Sequence, residues 1–373
     1  MHLRHTLALL LTCGLAFAPG HALAQAQPQV QPAPAPAAAA PAAEHDDAIF
    51  RPFGLRAPLA KKPGSLRLAT YNIENLFDDK DDPALDGQNE DRDQTKPDDA
   101  CKAAAATIAA LDADIIALEE IESIDALKWF LAKYMPDSPF KYVASVDAGD
   151  ERGIEQAVLS KFPVTTIKNW PKADLEGKQP ETVGRGHNAL AGQPMKAHRS
   201  PLMVEVEVPA SVLGETDKKG DRGPYQLTLF VVHMKSGRDF GFWREAESKK
   251  LLSLIAETSK DRPDRNIAVL GDFNATDDAA SIAILKSGGL TDLSPTGKSG
   301  PGKPDKTTIS HASGRTIDHL MVNASLLKEI VPASEFVLGT PTRPEGTDYR
   351  NTPTPPGYAS DHFPVVVDLI PKD

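Results

Sequence analysis

Cysteine is nearly absent from this sequence: Cys13 and Cys101 are the only two in 373 residues. Cys13 falls in an N-terminal stretch with the marks of a leader, and loss of that stretch would leave Cys101 alone. No internal disulfide could then form, even in an oxidising compartment, so stability must come from a packed core. Aromatic residues make up 6% of the chain. Trp170, Phe242 and Trp243 lack the accompanying aromatic stripe on which successive bases stack, so they read as core or loop-packing residues. Positive charge is also short, with 41 Lys and Arg against 52 Asp and Glu for a formal charge of −11. Such a chain repels a polyanion at long range, which argues against tight non-specific nucleic-acid binding and leaves room for a local basic groove.

The one conspicuous apolar run, Thr6 to Ala18, is too short to span a bilayer as a mature helix. It follows Arg4 and precedes Ala22-Leu23-Ala24, a small-x-small cleavage pattern, so residues 1–24 read as a signal peptide cut after Ala24. Arg4 is the one formal charge there, and its removal takes the net charge from −11 to −12. Export implies a periplasmic or secreted protein. Residues 25–43 are Gln, Pro, Ala and Val only, a composition that cannot build a core, so residues 25–64 are read as linker and lead-in. No second Pro/Gly-rich break divides residues 65–373, which are expected to form one domain.

Within that domain strand and helix patterns alternate. Ser65 to Tyr71 has period two, Asp99 to Leu111 is Ala-rich with acidic residues near its start, and Asp114 to Leu118 is a short apolar strand. Further strands are expected at Gln156–Leu159, Leu202–Val208, Gln226–Val232, Ile267–Leu270, Thr316–Val322 and Pro364–Leu369. Ser123–Tyr134, Arg244–Lys260 and Ala279–Lys286 are the remaining helix candidates. This is the pattern of a layered α/β domain. Two segments read as long irregular loops: carboxylate-rich 78–96, a solvated surface loop without the ligand alternation of a calcium loop, and basic 172–199, a candidate phosphate-binding flank.

The polar residues of interest lie at or just beyond apolar strands: Asn72, Glu119 and Glu120, His233, Asp272 with Asn274. In open α/β sheets, ligands bind near strand ends. Carboxylates, amides and imidazoles gathered there, without cysteine, suit a hard cation better than zinc. Each signal alone is weak, because Gly-Asp-Phe-Asn is also a common turn composition. The order is what is specific: Tyr-Asn-Ile-Glu (71–74), Leu-Glu-Glu-Ile (118–121), Val-Leu-Ser-Lys-Phe-Pro (158–163), Val-Val-His-Met-Lys-Ser (231–236), Gly-Asp-Phe-Asn-Ala (271–275), Thr-Ile-Asp-His-Leu (316–320) and Ala-Ser-Asp-His-Phe-Pro (359–364).

With these motifs the chain, from about Leu66 to its C-terminus, resembles the endonuclease/exonuclease/phosphatase superfamily. The resemblance implies the deoxyribonuclease I-like fold, a four-layer α/β sandwich of two packed β-sheets flanked by helices, and Mg²⁺-dependent hydrolysis of phosphate esters, with Mn²⁺ or Ca²⁺ as other candidates. It matches Asn72 and Glu120 to the metal site, His233 to the histidine on the scissile phosphate, and Asp272 with Asn274 to the Asp-x-Asn pair. Asp318 matches the residue that orients the last histidine, and Asp361 with His362 the closing Asp-His. Glu119 departs from the family, standing where Gln is usual, as does His319, standing where an aromatic is common. Glu74 falls at a variable position.

The chemistry of these residue types agrees. A phosphodiester repels hydroxide, so its hydrolysis needs a cation on a non-bridging oxygen, an aligned water and stabilisation of the leaving alkoxide. Glu120 with Asn72 and Asp361 would hold the metal. Asp318 would fix the tautomer of His362, the preferred proton-transfer residue, with Asp272 as the competing base. His233 and Asn274 would donate to phosphoryl oxygens. Nucleic acid is the expected substrate, with small-molecule or lipid phosphoesters as the alternative. A binding module that has lost the chemistry is a further alternative, and the complete constellation opposes it. No stable protein partner is indicated.

Overall fold

A computed structural model describes residues 51–80, 95–213, 223–296, 298–300, 303–344, 347 and 351–372. The leader, Cys13, residues 25–50 of the linker and residues 81–94 of the acidic loop lie outside the described residues.

The strand-helix-strand unit forms as β1 (Leu66–Leu76), α1 (Asp98–Leu111) and β2 (Ile115–Ile121). Helix α2 (Ile124–Tyr134) starts at Ser123, whose hydroxyl accepts the Ala126 N–H at 3.1 Å, a standard N-cap. The chain continues through β3 (Tyr142–Ser145), β4 (Glu155–Ser160), β5 (Val164–Lys168), β6 (Leu202–Val208) and β7 (Tyr225–His233). Helix α3 (Gly241–Thr258), β8 (Asn266–Asp272), α4 (Ala280–Ser287) and β9 (Thr291–Asp292) follow. Strand β10 (Asp318–Val322), the short α5 (Ala324–Leu327), β11 (Phe336–Val337) and β12 (Val365–Leu369) complete the core.

Two six-stranded mixed sheets result, in the orders β11-β12-β1-β2-β4-β3 and β9-β10-β8-β7-β6-β5. Within each, one central pair is parallel, β1 with β2 and β7 with β8. Strand alternation sends one set of side chains between the sheets: Leu68 and Ile115 from one, Leu227, Leu229 and Leu270 from the other. The opposite set meets helices. Tyr71 and Ile116 pack with Ile108 and Phe130, while Phe230 and Val269 pack with Leu251 and Leu285. This is the expected four-layer, deoxyribonuclease I-like sandwich.

Segment 172–199 is not irregular. Asp174–Lys178 pairs with Pro194–Lys196, and Thr182–Val183 with Gly186–His187. Its polar, Lys-rich strands hid the pairing, since only Leu175, Gln179, Met195, Ala197 and Arg199 are buried there. The acidic loop also differs from a fully solvated one, because Lys96 at its end is buried. Trp243 packs with Leu175, Met195 and Ala197, and Trp170 stacks on Phe230 at 6.2 Å. Cys101 is buried on α1 and unpaired. No described helix is long and apolar enough to cross a membrane.

Across β1 and β12, Arg67 faces Asp368 in register. Its Nε donates to Asp368 Oδ1 at 2.7 Å and its Nη2 to Oδ2 at 3.0 Å, while Nη1 reaches the Leu111 carbonyl at 3.1 Å. Both side chains are 2% exposed. Removing one partner of such a pair strands a buried charge, whereas replacing both with apolar groups does not. Arg67→Met is therefore expected to lower stability in urea unfolding by about 3–5 kcal/mol, and Arg67→Met with Asp368→Leu to recover most of that loss.

Candidate active site

Register builds the site. Asn72 pairs with Glu119 across β1 and β2, His233 with Asp272 across β7 and β8, and Asp272 with Asp318 across β8 and β10. Three neighbouring strand termini of the second sheet thus deliver His233, Asp272 and Asp318 side by side. Asn72, Glu119 and Glu120 sit inside their strands rather than beyond them, and Asp318 begins its strand. Gly271, with φ at 139°, lets β8 approach β7 here, since a Cβ would lie 2.0 Å from the Val232 carbonyl oxygen.

Glu120 owes its aim to an irregularity. The β2 register shifts between Glu119 and Ile121, and Glu120 takes φ of 63°. A bulge of this kind re-aims a side chain. Glu120 Oε1 lies 3.4 Å from Asn72 Nδ2, and Oε2 accepts the Asn75 N–H at 3.1 Å. Asn274, at φ 49°, is likewise left-handed. Strain of that sort persists where surrounding contacts impose it, often at functional sites.

All eight residues singled out from the sequence join one cluster. Asp272 Oδ2 accepts Asn274 Nδ2 at 3.0 Å and faces Asn72 Nδ2 at 3.4 Å, His233 Nε2 at 3.5 Å and His362 Nε2 at 3.8 Å. His233 Nε2 is 3.8 Å from Glu120 Oε1. His362 Nδ1 donates to Asp318 at 2.9 and 3.0 Å, and His362 Nε2 is 3.9 Å from Asp361 Oδ1.

Electrostatics sets Asp272 and its two histidine neighbours apart. Burial, reinforced by the charges of Arg199 and His362, holds the His233 imidazole well below its ordinary value, so it is neutral. Burial also works against the His362 imidazolium, but the carboxylates of Asp318 and Asp272 outweigh it and hold the ring protonated. Asp272 is pushed up to about 6, first by burial and then by Asp318, with His362 opposing.

Several residues were missed in the sequence. Ser310 Oγ donates to Asp318 Oδ2 at 2.6 Å, extending the Asp-His pair into a chain of three. His311 packs against His362 with ring centroids 4.5 Å apart. The Ser313 N–H donates to its Nδ1 at 2.9 Å, which leaves the proton on Nε2, 3.3 Å from Asp361 Oδ2. Lys96 Nζ donates to the Glu74 carbonyl, and Tyr358 OH to Glu74 Oε2, both at 2.8 Å. None of these four residues belongs to a motif with a readable spacing. His319 is a structural residue: Nδ1 faces Asp292 Oδ2 and Nε2 the Ala275 carbonyl, both at 2.8 Å, so it anchors the turn that follows Asn274.

The donor set fits a divalent cation. Burial and the charge of Asp361 push Glu74 up to about 7, with Glu120 adding to the effect. A carboxylate whose ionisation is opposed by two neighbouring carboxylates is suited to neutralisation by a hard metal ion. Glu120 and Asp361 would hold it with Glu74 nearby. Asn72 instead turns its oxygen to the Glu74 N–H at 3.0 Å and its nitrogen toward Glu120 and Asp272. The ligating atoms of Asp272, Asp318 and His362, and those of His311, Asp361 and His362, also group within 4.8 Å of one another.

Residues 69–362 match the model of the Endonuclease/Exonuclease/phosphatase family. The chain belongs to this family. Solved structures resembling it include the human Nocturnin catalytic domain with bound sulfate (12% identity, TM-score 0.48, 83% of this chain and 96% of that one). Truncated TDP2 of Caenorhabditis elegans also matches (14%, 0.49, 82% and 98%), as does the mannosyl-6-phosphatase of Bacteroides thetaiotaomicron (17%, 0.45, 82% and 100%). Among curated proteins none matches the sequence. As a member of the endonuclease/exonuclease/phosphatase family, the protein is a phosphoester hydrolase with a candidate divalent-metal site.

Glu119, where the family pattern has Gln, is wholly buried and accepts the Thr70 hydroxyl at 2.9 Å. Burial, with Asp318 and Asp272 adding, raises it well above the carboxylate range, so it stands as a neutral acid of nearly the shape of Gln. Its folded value exceeds its unfolded value of about 4.3, so native stability falls as pH rises from the unfolded value toward the folded one. Glu119→Gln removes that dependence. Urea unfolding should show little difference at pH 4 and a Gln advantage that grows toward neutrality; an advantage independent of pH would overturn the assignment.

Proposed function

We propose that this hydrolase is an exported, Mg²⁺-dependent nuclease that cleaves nucleic-acid phosphodiesters by in-line attack of water. The observation that carries the choice of substrate is the basic flank beside His233, formed by Lys172 and Lys235 on either side of a neutral His198, in a chain that is otherwise acidic. A lipid substrate would favour an apolar rim. The exposed large hydrophobics among the described residues are Leu59, Leu190, Val212 and Leu327, which are scattered through the sequence.

The protonation pattern favours Asp272 over His362 as the group that takes the proton from the attacking water, because Asp272 is ionised at neutral pH and His362 already carries its proton. Asn274 holds Asp272 through its backbone N–H (2.7 Å) and its amide (3.0 Å). The His362 imidazolium, steadied by Asp318, and the neutral His233 N–H would donate to phosphoryl oxygens, where negative charge accumulates in the transition state. When bound, Mg²⁺ supplies Lewis-acid stabilisation of that charge and of the leaving oxygen.

Supercoiled plasmid should be nicked by the protein with Mg²⁺ and left intact with chelator, and His362→Ala should reduce the rate by ~100- to 1,000-fold. Turnover of bis-p-nitrophenyl phosphate without plasmid cleavage would keep the hydrolase and move its substrate to a small molecule or lipid. For export, N-terminal sequencing of protein recovered from the periplasm or medium should begin at Gln25; a chain beginning at Met1 in the cytoplasm would exclude the leader.

A further inference from the structure

The basic flank is a built feature. Glu247, a buried carboxylate on α3, accepts the His198 N–H on Oε1 at 3.4 Å and the Lys235 N–H on Oε2 at 3.0 Å. One side chain thereby fixes two backbone positions from different segments, the hairpin module 172–199 and the turn after β7. Arg244 Nη1 closes that turn by donating to the Lys235 and Gly237 carbonyls at 2.8 and 2.9 Å. Trp243 Nε1 ties down the module by donating to the Lys196 carbonyl at 3.1 Å.

The charges on this platform are not balanced by one another. Arg199 is neutralised by Asp150 at 2.8 Å, with both side chains 1% exposed. Lys235 Nζ stands 4.7 Å from the Phe240 ring centroid and makes no ion pair among the described residues. Lys172 is exposed with its stem beside Gly149, where a Cβ would meet Cε at 3.5 Å, and it too has no ion pair among the described residues. His198 Nε2 lies 3.7 Å from Asp150 Oδ1, next to the Gly149 that the Lys172 stem covers, and burial with the charges of Arg199, Lys235 and Lys172 holds its imidazole down at about 4, so the platform's free charges are the two lysines. Of the carboxylates that act on Lys235, Glu247 is buried, Asp150 is paired with Arg199 and Glu151 is exposed.

We infer that Lys235 and Lys172, grouped around His198, form a second phosphate subsite beside His233, so that the substrate carries a further phosphate next to the one that reacts. This rests on the nucleic-acid reading for the source of that phosphate, which is the neighbouring phosphodiester of a strand. Two fixed cations flanking the scissile position also reconcile an acidic protein with a polyanionic substrate: attraction is local, and long-range repulsion limits non-specific adhesion.

The test is calorimetric titration of the Mg²⁺-loaded full chain with thymidine 5′-monophosphate and thymidine 3′,5′-bisphosphate, alongside cleavage of a single-stranded oligonucleotide. The wild type should bind the bisphosphate at least tenfold more tightly. Lys235→Met and Lys172→Met, which keep the apolar stems, should each cut that preference to threefold or less, and Lys235→Arg should restore it. Equal affinity of the wild type for the two ligands would overturn the subsite, as would variants that weaken both ligands equally, the mark of a merely structural role. Preference for the bisphosphate with oligonucleotide cleavage that weakens in Lys235→Met supports the strand as its source. The same preference without any cleavage of DNA or RNA retains the subsite and overturns the nuclease reading instead.

Discussion

One oxygen atom joins the two halves of the molecule. Asp272 Oδ2 lies within 3.8 Å of groups from four segments: Asn72 on β1, His233 on β7, Asn274 beyond β8 and His362 before β12. Two of these belong to one sheet and two to the other. Because every partner is a potential donor, Asp272 can remain an anion in a site that excludes water, and the packing of the sheets decides whether it does. Gly271 is the covalent condition for this arrangement, since the close approach of β8 to β7 leaves no space for a Cβ.

Around that anion the protein separates charge. Toward Glu74, Glu120 and Asp361 negative charge accumulates and calls for a cation. Toward Lys235 and Lys172 positive charge accumulates and calls for an anion. A phosphodiester placed between them would meet both kinds of neutralisation, with His233 kept neutral at the boundary so that it donates a hydrogen bond without adding a charge. The net charge of −11 conceals this division because it sums over a surface of which the site is a small part.

Much of the architecture was legible because its causes are local. The period-two run into β1 and the Ala-rich α1 fold as their patterns require. The hairpins within 172–199 were not legible, because their few apolar residues, Leu175, Met195 and Ala197, are buried only by Trp243 on α3, distant in sequence. Lys96 reads as the end of a solvated loop until its ammonium is found against the Glu74 carbonyl. His311 and Ser310 carried no motif; their roles follow from a bridge that sets His311 opposite His362.

The sequence by itself determined the residue types at the centre and their order, because the chemistry of a phosphoester demands carboxylate, amide and imidazole groups whatever the fold does with them. Tertiary structure alone decided which of these groups carry protons. Glu119 and Glu120 are adjacent in the chain, yet one is buried as a neutral acid and the other is turned by a bulge toward the cation-binding side. A protonation state depends on burial and on the charges brought within a few ångströms, and both are set by how two sheets pack rather than by neighbours along the chain.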